Sequence, residues 1–275
     1  MKRQVTAAKE TKIRGVRSPR GIESEMSDMM DFMIRQMGER FKNQVLNKIQ
    51  VSTVDKFADA QTGNFAAILL RLSKAAKKSL LKQFSNERIE GISQQMLGKL
   101  DKKAKLEFYN RVAAKTGIDV KDLIAKEGLK STTNALMTET AQWIQTLRDD
   151  TFQKFTNNTL FAMSQGESLD TIVNQFDDIV VERKNHARFL ARNQVQNYNS
   201  VTTKIRAQNL GITKAVWETA GDERVRASHD DREGKEFDLA EGCYSSIDGE
   251  YLLPGVDYSC RCTYLLIIPE TVDDE

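Results

Sequence analysis

Two short stretches near the end of the chain, AVWETAGDERVRASH at residues 215–229 and SCRC at residues 259–262, hold most of its chemically distinctive side chains. They include Trp217, one of the two histidines (His229) and two of the three cysteines. The third cysteine lies between the two stretches. The chemically distinctive residues of the chain are therefore concentrated in its last quarter.

The composition changes at Gly211, and the residues after it favour β-strands. Residues 214–219 alternate and are rich in strand-forming side chains, and the alternation returns around Val225. An apolar run at residues 264–268 ends at Pro269 and predicts a final strand. We therefore expect a small α+β module at the end of the chain.

The chain before Gly211 is predicted to be a series of long helices. No proline lies between Pro19 and Pro254, and proline disrupts helix interiors. Apolar residues recur every three or four positions at residues 22–50, 65–84, 89–116, 119–126, 131–165 and 181–209. The predicted fold class is mainly α, with a long-helix N-terminal body and the small C-terminal α+β module.

Four methionines repeat at helical spacing in the first predicted helix: Met26, Met30, Met33 and Met37. Such a stripe suits either an adaptable partner surface or the packing core between helices, and we interpret it as core. Asp119 and Ser168 are predicted to cap the starts of two later helices.

Charge and pattern together predict four segments along the chain. Residues 1–21 are a basic flexible arm, residues 22–165 the helical body, residues 166–269 the C-terminal module and residues 270–275 an acidic tail. The net charge of +2 does not by itself indicate a nucleic-acid partner, but the arm concentrates cations. The cations are Lys2, Arg3, Lys9, Lys12, Arg14, Arg17 and Arg20. They are candidates for contact with DNA or an acidic protein surface, the alternative being a solvated terminus.

The composition argues against several classes of protein. Hydrophobic residues make up 40% and charged residues 29%, which is ordinary for a soluble protein. No apolar run approaches the roughly 20 residues of a membrane-spanning helix, and no apolar segment follows the basic N-terminus as it does in a secretory signal. The three cysteines are an odd number, which argues against a closed disulfide framework and favours a reducing cytoplasm.

His229, Cys243, Cys260 and Cys262 are candidate ligands for a structural zinc ion. They would supply four ligands of the type that tetrahedral zinc prefers. The single residue between Cys260 and Cys262 is shorter than the gap of a usual zinc knuckle. Buried or unreactive thiols, and a disulfide formed outside the cell, are the alternatives. Arg261, between the two cysteines, would help to lower thiol pKa values with or without a metal.

Carboxylates are also dense around His229: Asp222, Glu223, Asp230, Asp231 and Glu233. A carboxylate–histidine group can act as a general acid–base or bind a divalent cation. The same carboxylates alternate with Arg224, Arg226 and Arg232, which is typical of a surface ion-pair network, and we favour that interpretation. No Gly-rich phosphate loop, nucleophile elbow or His-Glu-x-x-His motif occurs. We therefore predict no catalytic and no cofactor-binding residues.

An ordered set of motifs runs from RFLARNQ at residues 188–194, through DERVRASH at residues 222–229 and GKEF at residues 234–237, to the Cys-Arg-Cys step. In this order the motifs resemble those of the Mu-F-like minor head proteins of tailed phages. The residues that carry the resemblance are Arg192, Asn193, Trp217, Asp222, Arg226, His229, Gly234, Cys260 and Cys262. The resemblance covers about residues 151–266 and implies that these side chains mainly hold the module together.

This resemblance implies a minor capsid or head-morphogenesis protein that associates with the phage portal protein and with the procapsid, capsid or scaffolding protein. Its expected location is the virion head, assembled in the host cytoplasm, with viral DNA as a further partner during packaging or ejection. Relatives often carry a histidine shortly before the Cys-Arg-Cys step, where this chain has Asp257. Any role of that histidine would pass to Asp257 or Cys243, or would be lost in this chain. The alternative is a toxin-like enzyme that modifies nucleotides or nucleic acid through the His229 region.

Overall fold

The structure, a computed structural model, describes residues 11–17, 20–49, 62–125 and 127–268. Its helices are α1 Arg20–Phe41, which continues through a π-helical turn at Lys42–Leu46, α2 Thr62–Gln83, α3 Asn86–Thr116, α4 Val120–Ala125, α5 Lys130–Ser164, α6 Leu169–Asn209 and α7 Ala227–Asp230. Its strands are β1 Thr11–Arg14, β2 Lys214–Glu218, β3 Glu236–Asp238, β4 Cys243–Tyr244, β5 Tyr251–Leu252 and β6 Thr263–Ile268. The predicted fold class is confirmed. The acidic tail at residues 270–275 lies outside the described residues.

The chain packs as two compact units, each assembled from segments that are separated in sequence. The first unit consists of the described residues of Met1–Ile22, Leu97–Leu136 and Asn193–Glu275, and the second of those of Glu23–Met96 and Met137–Arg192. Helices α1, α3, α5 and α6 contribute residues to both units. The units therefore differ from the consecutive segments predicted above, because these helices leave no linker at a unit boundary.

The second unit has an apolar core built at helical spacing. Four side chains of α1 are fully buried and form its packing stripe: Met26, Met30, Met33 and Met37. At the end of the same helix, three aromatic rings surround Phe41 with centroids 5.4–5.6 Å from its own: Phe152, Phe155 and Phe176. The interpretation of the methionine stripe as packing core is confirmed.

A glycine on α1 allows a close helix approach within the second unit. A Cβ atom added at Gly38 would lie 3.0 Å from Cγ2 of Val180 on α6, closer than side chains normally pack. Nearby, the buried carboxylate of Asp31 pairs with Arg188 at 2.9 Å. The absence of a side chain at Gly38 thus lets the two helices meet where an ion pair also joins them.

The first unit is built on a four-stranded antiparallel sheet with the strand order β1-β6-β2-β3. Trp217 on β2 lies opposite Tyr264 on β6, and both side chains are buried. Apolar side chains of the sheet share one core with α3, α4 and the end of α6, including Phe108 and Ala207. The short strands β4 and β5 pair separately, with Cys243 opposite Leu252.

Part of the predicted flexible arm is instead built into this sheet. Residues Thr11–Arg14 form β1 and pair with β6, and Ile13 and Val16 are buried. The amide of Asn199 donates a hydrogen bond of 2.7 Å to the carbonyl of Val16. The prediction of a flexible arm is therefore wrong for residues 11–17, because apolar side chains alternate with the cations there and bury against the sheet.

Several local predictions can be compared directly with the structure. Asp119 and Ser168 cap their helices through side-chain oxygens that accept N–H bonds of 2.7 and 3.2 Å, as predicted. The residues around Val225 form a turn rather than a strand, with the Val225 N–H bonded to the carbonyl of Asp222. Within the described ranges, no helix combines the length and apolarity needed to cross a membrane.

Candidate functional site

The candidate site lies where the loop after β2 meets the loop before β6. These strands are antiparallel, with Glu218 opposite Thr263, so the chain leaving β2 and the chain entering β6 run side by side. The first loop leads into α7, which carries His229, and the second carries Cys260 and Cys262. The sheet register therefore brings together residues that are about thirty positions apart.

His229, Cys260 and Cys262 form a buried group. The Nδ1 atom of His229 lies 3.6 Å from Sγ of Cys260 and 3.5 Å from Sγ of Cys262. The three potential ligand atoms lie within 4.8 Å of one another, and no side chain of the three is more than 5% exposed. The indole of Trp217 packs edge-on against the imidazole, with ring centroids 5.5 Å apart. This contact holds the histidine ring with one nitrogen facing both sulfurs.

The other nitrogen of His229 is held by Asp257. Its Nε2 atom lies 3.0 Å from Oδ2 of Asp257, and the same oxygen pairs with Arg226 at 2.9 Å. Arg226 also donates a bond of 2.6 Å to the carbonyl of Tyr258, which ties α7 to the second loop. Asp257 thus orients His229 instead of joining the group of three.

Backbone N–H groups surround the sulfur of Cys260. The N–H groups of Gly255 and Cys262 lie 3.2 and 3.4 Å from it. Gly255 has a φ of 88°, which glycine adopts without strain, and a Cβ atom there would lie 3.3 Å from Cβ of Ser200. The turn at Gly255 therefore supplies a donor that favours the thiolate form of Cys260.

The two thiols of the group affect each other's titration. The hydrogen bond with Cys262 lowers the pKa of Cys260 to about 5, and the bonds from His229 and the two N–H groups act in the same direction against burial. The bond with Cys260, together with burial, raises the pKa of Cys262. The bond with Cys260 also raises the pKa of His229. The group therefore favours a thiolate, the form of cysteine that binds metals and attacks electrophiles.

Cys243 lies outside this group. It sits on β4, where its sulfur is 4.0 Å from the carbonyl of Tyr244, and burial raises the pKa of its thiol. The structure thus brings together three of the four ligands predicted from the sequence, His229, Cys260 and Cys262, and leaves the fourth apart.

A fully buried arginine holds the module around the site. The guanidinium of Arg232 lies 5.4 Å from the ring centre of Trp217. It donates to the carbonyls of Cys243 and Glu250 at 2.8 and 2.7 Å and makes two bonds of 2.9 Å to Asp248. The prediction that Arg232 belongs to a surface ion-pair network is wrong. In the sequence, Arg232 alternates with other charged residues. Nothing in that pattern indicates that carbonyl groups from separate turns accept hydrogen bonds from its guanidinium.

The carboxylates that neighbour His229 in sequence bond elsewhere. Asp222 binds the guanidinium of Arg261 through both oxygens, and these bonds lower the pKa of its carboxyl. Asp231 pairs with Lys235 at 3.0 Å, and Glu233 accepts a bond of 2.6 Å from the N–H of Thr219. These three carboxylates therefore form ion pairs and hydrogen bonds within the loops. The carboxylate that bonds to His229 is that of Asp257, 28 residues later in the chain.

The remaining motif residues have different places. The side-chain oxygen of Asn193 accepts a bond of 2.8 Å from the N–H of Ser259, which has a φ of 51°. Gly234, with a φ of 72°, donates its N–H to the carbonyl of Trp217 at 2.9 Å. Arg192 pairs with Glu23 at 3.0 Å within the second unit. Asn193 and Gly234 therefore hold the loops of the site, and Arg192 does not.

The basic residues of the arm do not form one described cluster. Lys12 and Arg14 are on β1, and Arg14 pairs with Glu218 on β2. Arg17 is exposed, and Arg20 begins α1. The other three cations lie outside the described residues: Lys2, Arg3 and Lys9.

The group of three opens onto a small pocket. Its lining residues include His229, Cys260 and Cys262, together with Ala220, Arg224 and Ser259. The pocket has an empty volume of about 240 Å³. That volume includes space open to solvent, and the enclosed part has room for about one water molecule or an ion, not for a nucleotide.

Comparison with known proteins links part of the chain, which includes these loops, to one protein family. Residues 153–265 match the family described as Phage Mu protein F like protein, which confirms the resemblance over this part of the chain. The match begins within α5 and ends in β6, so it includes every residue of the buried group.

Two relatives extend the comparison. An uncharacterized protein of Haemophilus influenzae is 27% identical over 252 residues, which are 89% of this chain and 54% of the relative. A protein of Enterococcus faecalis named NAD(+)–arginine ADP-ribosyltransferase EFV is 28% identical over 130 residues, which are 44% of this chain and 27% of that relative. The chain thus spans about half the length of the first relative and matches about a quarter of the second. No solved structure matches the chain.

Proposed function

We propose that the protein is a minor capsid protein that acts in phage head assembly and associates with the portal protein and the procapsid. The observation that carries this proposal is the match of residues 153–265 to the Mu-F-like family. Capsid or scaffolding proteins are the further partners that this family suggests. The place of action is the virion head, reached during assembly in the host cytoplasm.

The contacts within the module support a structural role. Arg232, Asp222 and Arg226 each join segments that are separated in sequence, and Trp217 is fully buried among them. Such a network restricts the loops to one arrangement, since every displaced partner would leave a polar group unpaired. A module of fixed shape is suited to repeated, specific docking in an assembling particle.

Co-expression with the portal and major capsid proteins of the same phage tests this proposal. A tagged chain should sediment with procapsids and co-purify with the portal. Gly255→Val, which places side-chain atoms against Ser200, should weaken both associations if the module docks. Gly98→Ala, at an open helical position, is the matched control and should leave them unchanged. Absence of the tagged chain from both the portal and the procapsids would contradict the proposal.

Packaged DNA is a further proposed partner, supported by the cations of residues 1–21. Substitution of Lys2, Arg3 and Lys9 by alanine should lower the salt dependence of DNA binding, by about 0.9 in logarithmic slope for each phosphate that the arm no longer neutralises. Arg14→Ala is the control, because Arg14 already pairs with Glu218. Failure of the unchanged protein to bind DNA at low salt would remove DNA from the proposed partners.

One observation favours the alternative enzyme. Cys260, His229 and Asp257 stand in the order of a thiol nucleophile, its base and an orienting carboxylate. The name of the Enterococcus relative suggests transfer of ADP-ribose to arginine as the reaction to test. Transfer from labelled NAD that is lost in Cys260→Ala would favour the enzyme. We place it second, because Cys262 occupies the same face of His229 and the pocket is small.

A further inference from the structure

We propose that His229, Cys260 and Cys262 bind one zinc ion, with the fourth coordination position open to the pocket. The proposal is independent of the proposed role in head assembly. Three features of the buried group support it. They are the spacing of the ligand atoms, the contacts that orient them and the negative charge of the two thiolates that would bind the ion.

The spacing agrees with the edges of a zinc tetrahedron. Zinc lies about 2.3 Å from cysteine sulfur and about 2.0–2.1 Å from histidine nitrogen, so a tetrahedral site places the nitrogen about 3.5 Å from each sulfur. The observed distances from Nδ1 of His229 are 3.6 Å to Cys260 and 3.5 Å to Cys262. One imidazole nitrogen close to two sulfurs suits a metal ion that all three atoms bind. A catalytic cysteine and its histidine base would need only one nitrogen–sulfur contact.

The surrounding contacts are those that orient metal ligands. A histidine that binds metal through one nitrogen usually donates its other N–H to a carboxylate or carbonyl. His229 does so to Asp257 at 3.0 Å, and Arg226 fixes that carboxylate from the other side at 2.9 Å. N–H groups also point at the sulfur of Cys260 from Gly255 and Cys262. The imidazole and one sulfur are therefore held in place by groups other than the ligand atoms: the Asp257 carboxylate and two backbone N–H groups.

The charge of the group also favours a divalent cation. Binding a metal through both sulfurs requires two thiolates, and their two negative charges would be costly in a buried site without the cation. Arg261, between the cysteines, cannot neutralise them in its observed position, because both branches of its guanidinium bind Asp222. One zinc ion would balance both thiolates. Sulfur and imidazole ligands select zinc over calcium and magnesium, which prefer oxygen.

The fourth position is not supplied by the nearby candidates. Oδ2 of Asp257 already binds His229 and Arg226, and Cys243 lies outside the group. The three ligands line a small pocket, partly open to solvent, whose enclosed space accommodates water. Three protein ligands and one exchangeable position distinguish this arrangement from the four-ligand site predicted from the sequence.

Metal analysis of the purified full-length chain tests the proposal, with a cysteine of the same module as control. Chain purified without chelator should contain about one zinc ion, since the group forms one site. His229→Ala and Cys262→Ser should lose it. Cys243→Ser should retain it, because Cys243 is equally buried but is not a ligand. Loss of zinc in Cys243→Ser to the same extent would overturn the assignment of these ligands.

Cobalt gives a readout that does not depend on the folding of any variant. Replacement of zinc by Co²⁺ in the unchanged chain should produce the visible bands of a tetrahedral site and the near-ultraviolet band of cobalt–thiolate bonds. A folded chain that binds neither Zn²⁺ nor Co²⁺ would overturn the proposal. So would a mass two hydrogens lower than expected in protein purified under reducing conditions, because it would show the two cysteines joined as a disulfide.

Discussion

Two sets of fully buried side chains, one in each unit, make different kinds of contact. In the second unit, fully buried side chains such as Met33 and Phe41 are apolar and come from successive turns of one helix. In the first unit, the fully buried Arg232 depends on partners that approach from separate loops. Apolar packing tolerates exchanges that conserve volume, whereas a buried charge does not tolerate the loss of its partners. Equal burial of Met33 and Arg232 therefore leads to unequal sensitivity to substitution.

Loss of the buried guanidinium should have the largest effect on stability. Arg232→Met removes the partner of Asp248 and the donors to two carbonyls, so the free energy of unfolding should fall by about 3–5 kcal/mol. Arg224→Met is the control, since that side chain is 74% exposed, and it should change stability by no more than about 0.5 kcal/mol. Urea denaturation of both variants measures the difference. Equal stabilities would remove the contrast between the units.

Asp257→Asn should affect the metal site more than the fold. The amide keeps an acceptor for His229 but loses the charge, so zinc affinity should fall about 10–100-fold, as for other groups that orient a metal ligand. Competition with a chelator of known affinity measures this change. Asp231→Asn provides the matched control, because Asp231 pairs with Lys235. An unchanged affinity in Asp257→Asn would show that the carboxylate does not support the metal site.

The pair of Arg232 and Asp248 should also make stability depend on pH. The bonds from Arg232 lower the pKa of Asp248 from 3.8 to about 2 in the folded protein. A lowered pKa stabilises the fold above the unfolded value, and this contribution is lost as pH falls from about 3.8 towards 2. The stability difference between the unchanged protein and Asp248→Asn should therefore shrink over that interval. A difference that stays constant in acid denaturation would contradict this origin.

The smallest effect is expected in the methionine stripe. Met33→Leu conserves both volume and polarity, so it should cost less than about 1.5 kcal/mol although Met33 is fully buried. The same urea experiment measures it beside Arg232→Met. A cost as large as that of Arg232→Met would show that burial alone, rather than the kind of contact, sets the sensitivity of each unit.

The helical part of the fold could be predicted because its determinants are local. The stripe that includes Met33 repeats with the helical period, and Asp119 and Ser168 act on N–H groups two and three residues away. The single helix α6 and the strand β1 were harder to predict. In β1, the cations Lys12 and Arg14 masked the buried side chain of Ile13.

The candidate site could be predicted in part, since its chemistry is rare but its geometry is not local. His229, Cys260 and Cys262 stand out by residue type, and the family motif orders them. Their approach depends on the pairing of β2 with β6, which no local pattern reveals. Arg232 was missed for the same reason: an arginine among charged neighbours resembles a surface residue unless the turns that surround it are known.

The pairing of β1 with β6 has a consequence for how the protein is made. Thr11 lies opposite Ile268, so β1, which is synthesised early, cannot pair until β6 has been synthesised near the end of translation. Contacts so distant in sequence form slowly, whereas helices of the second unit can form from local contacts while synthesis continues. The sheet that positions the cysteine loop should thus be completed after translation of β6. Ribosome-bound chains stalled before residue 263 should contain helix but lack the closed sheet and the site that depends on it.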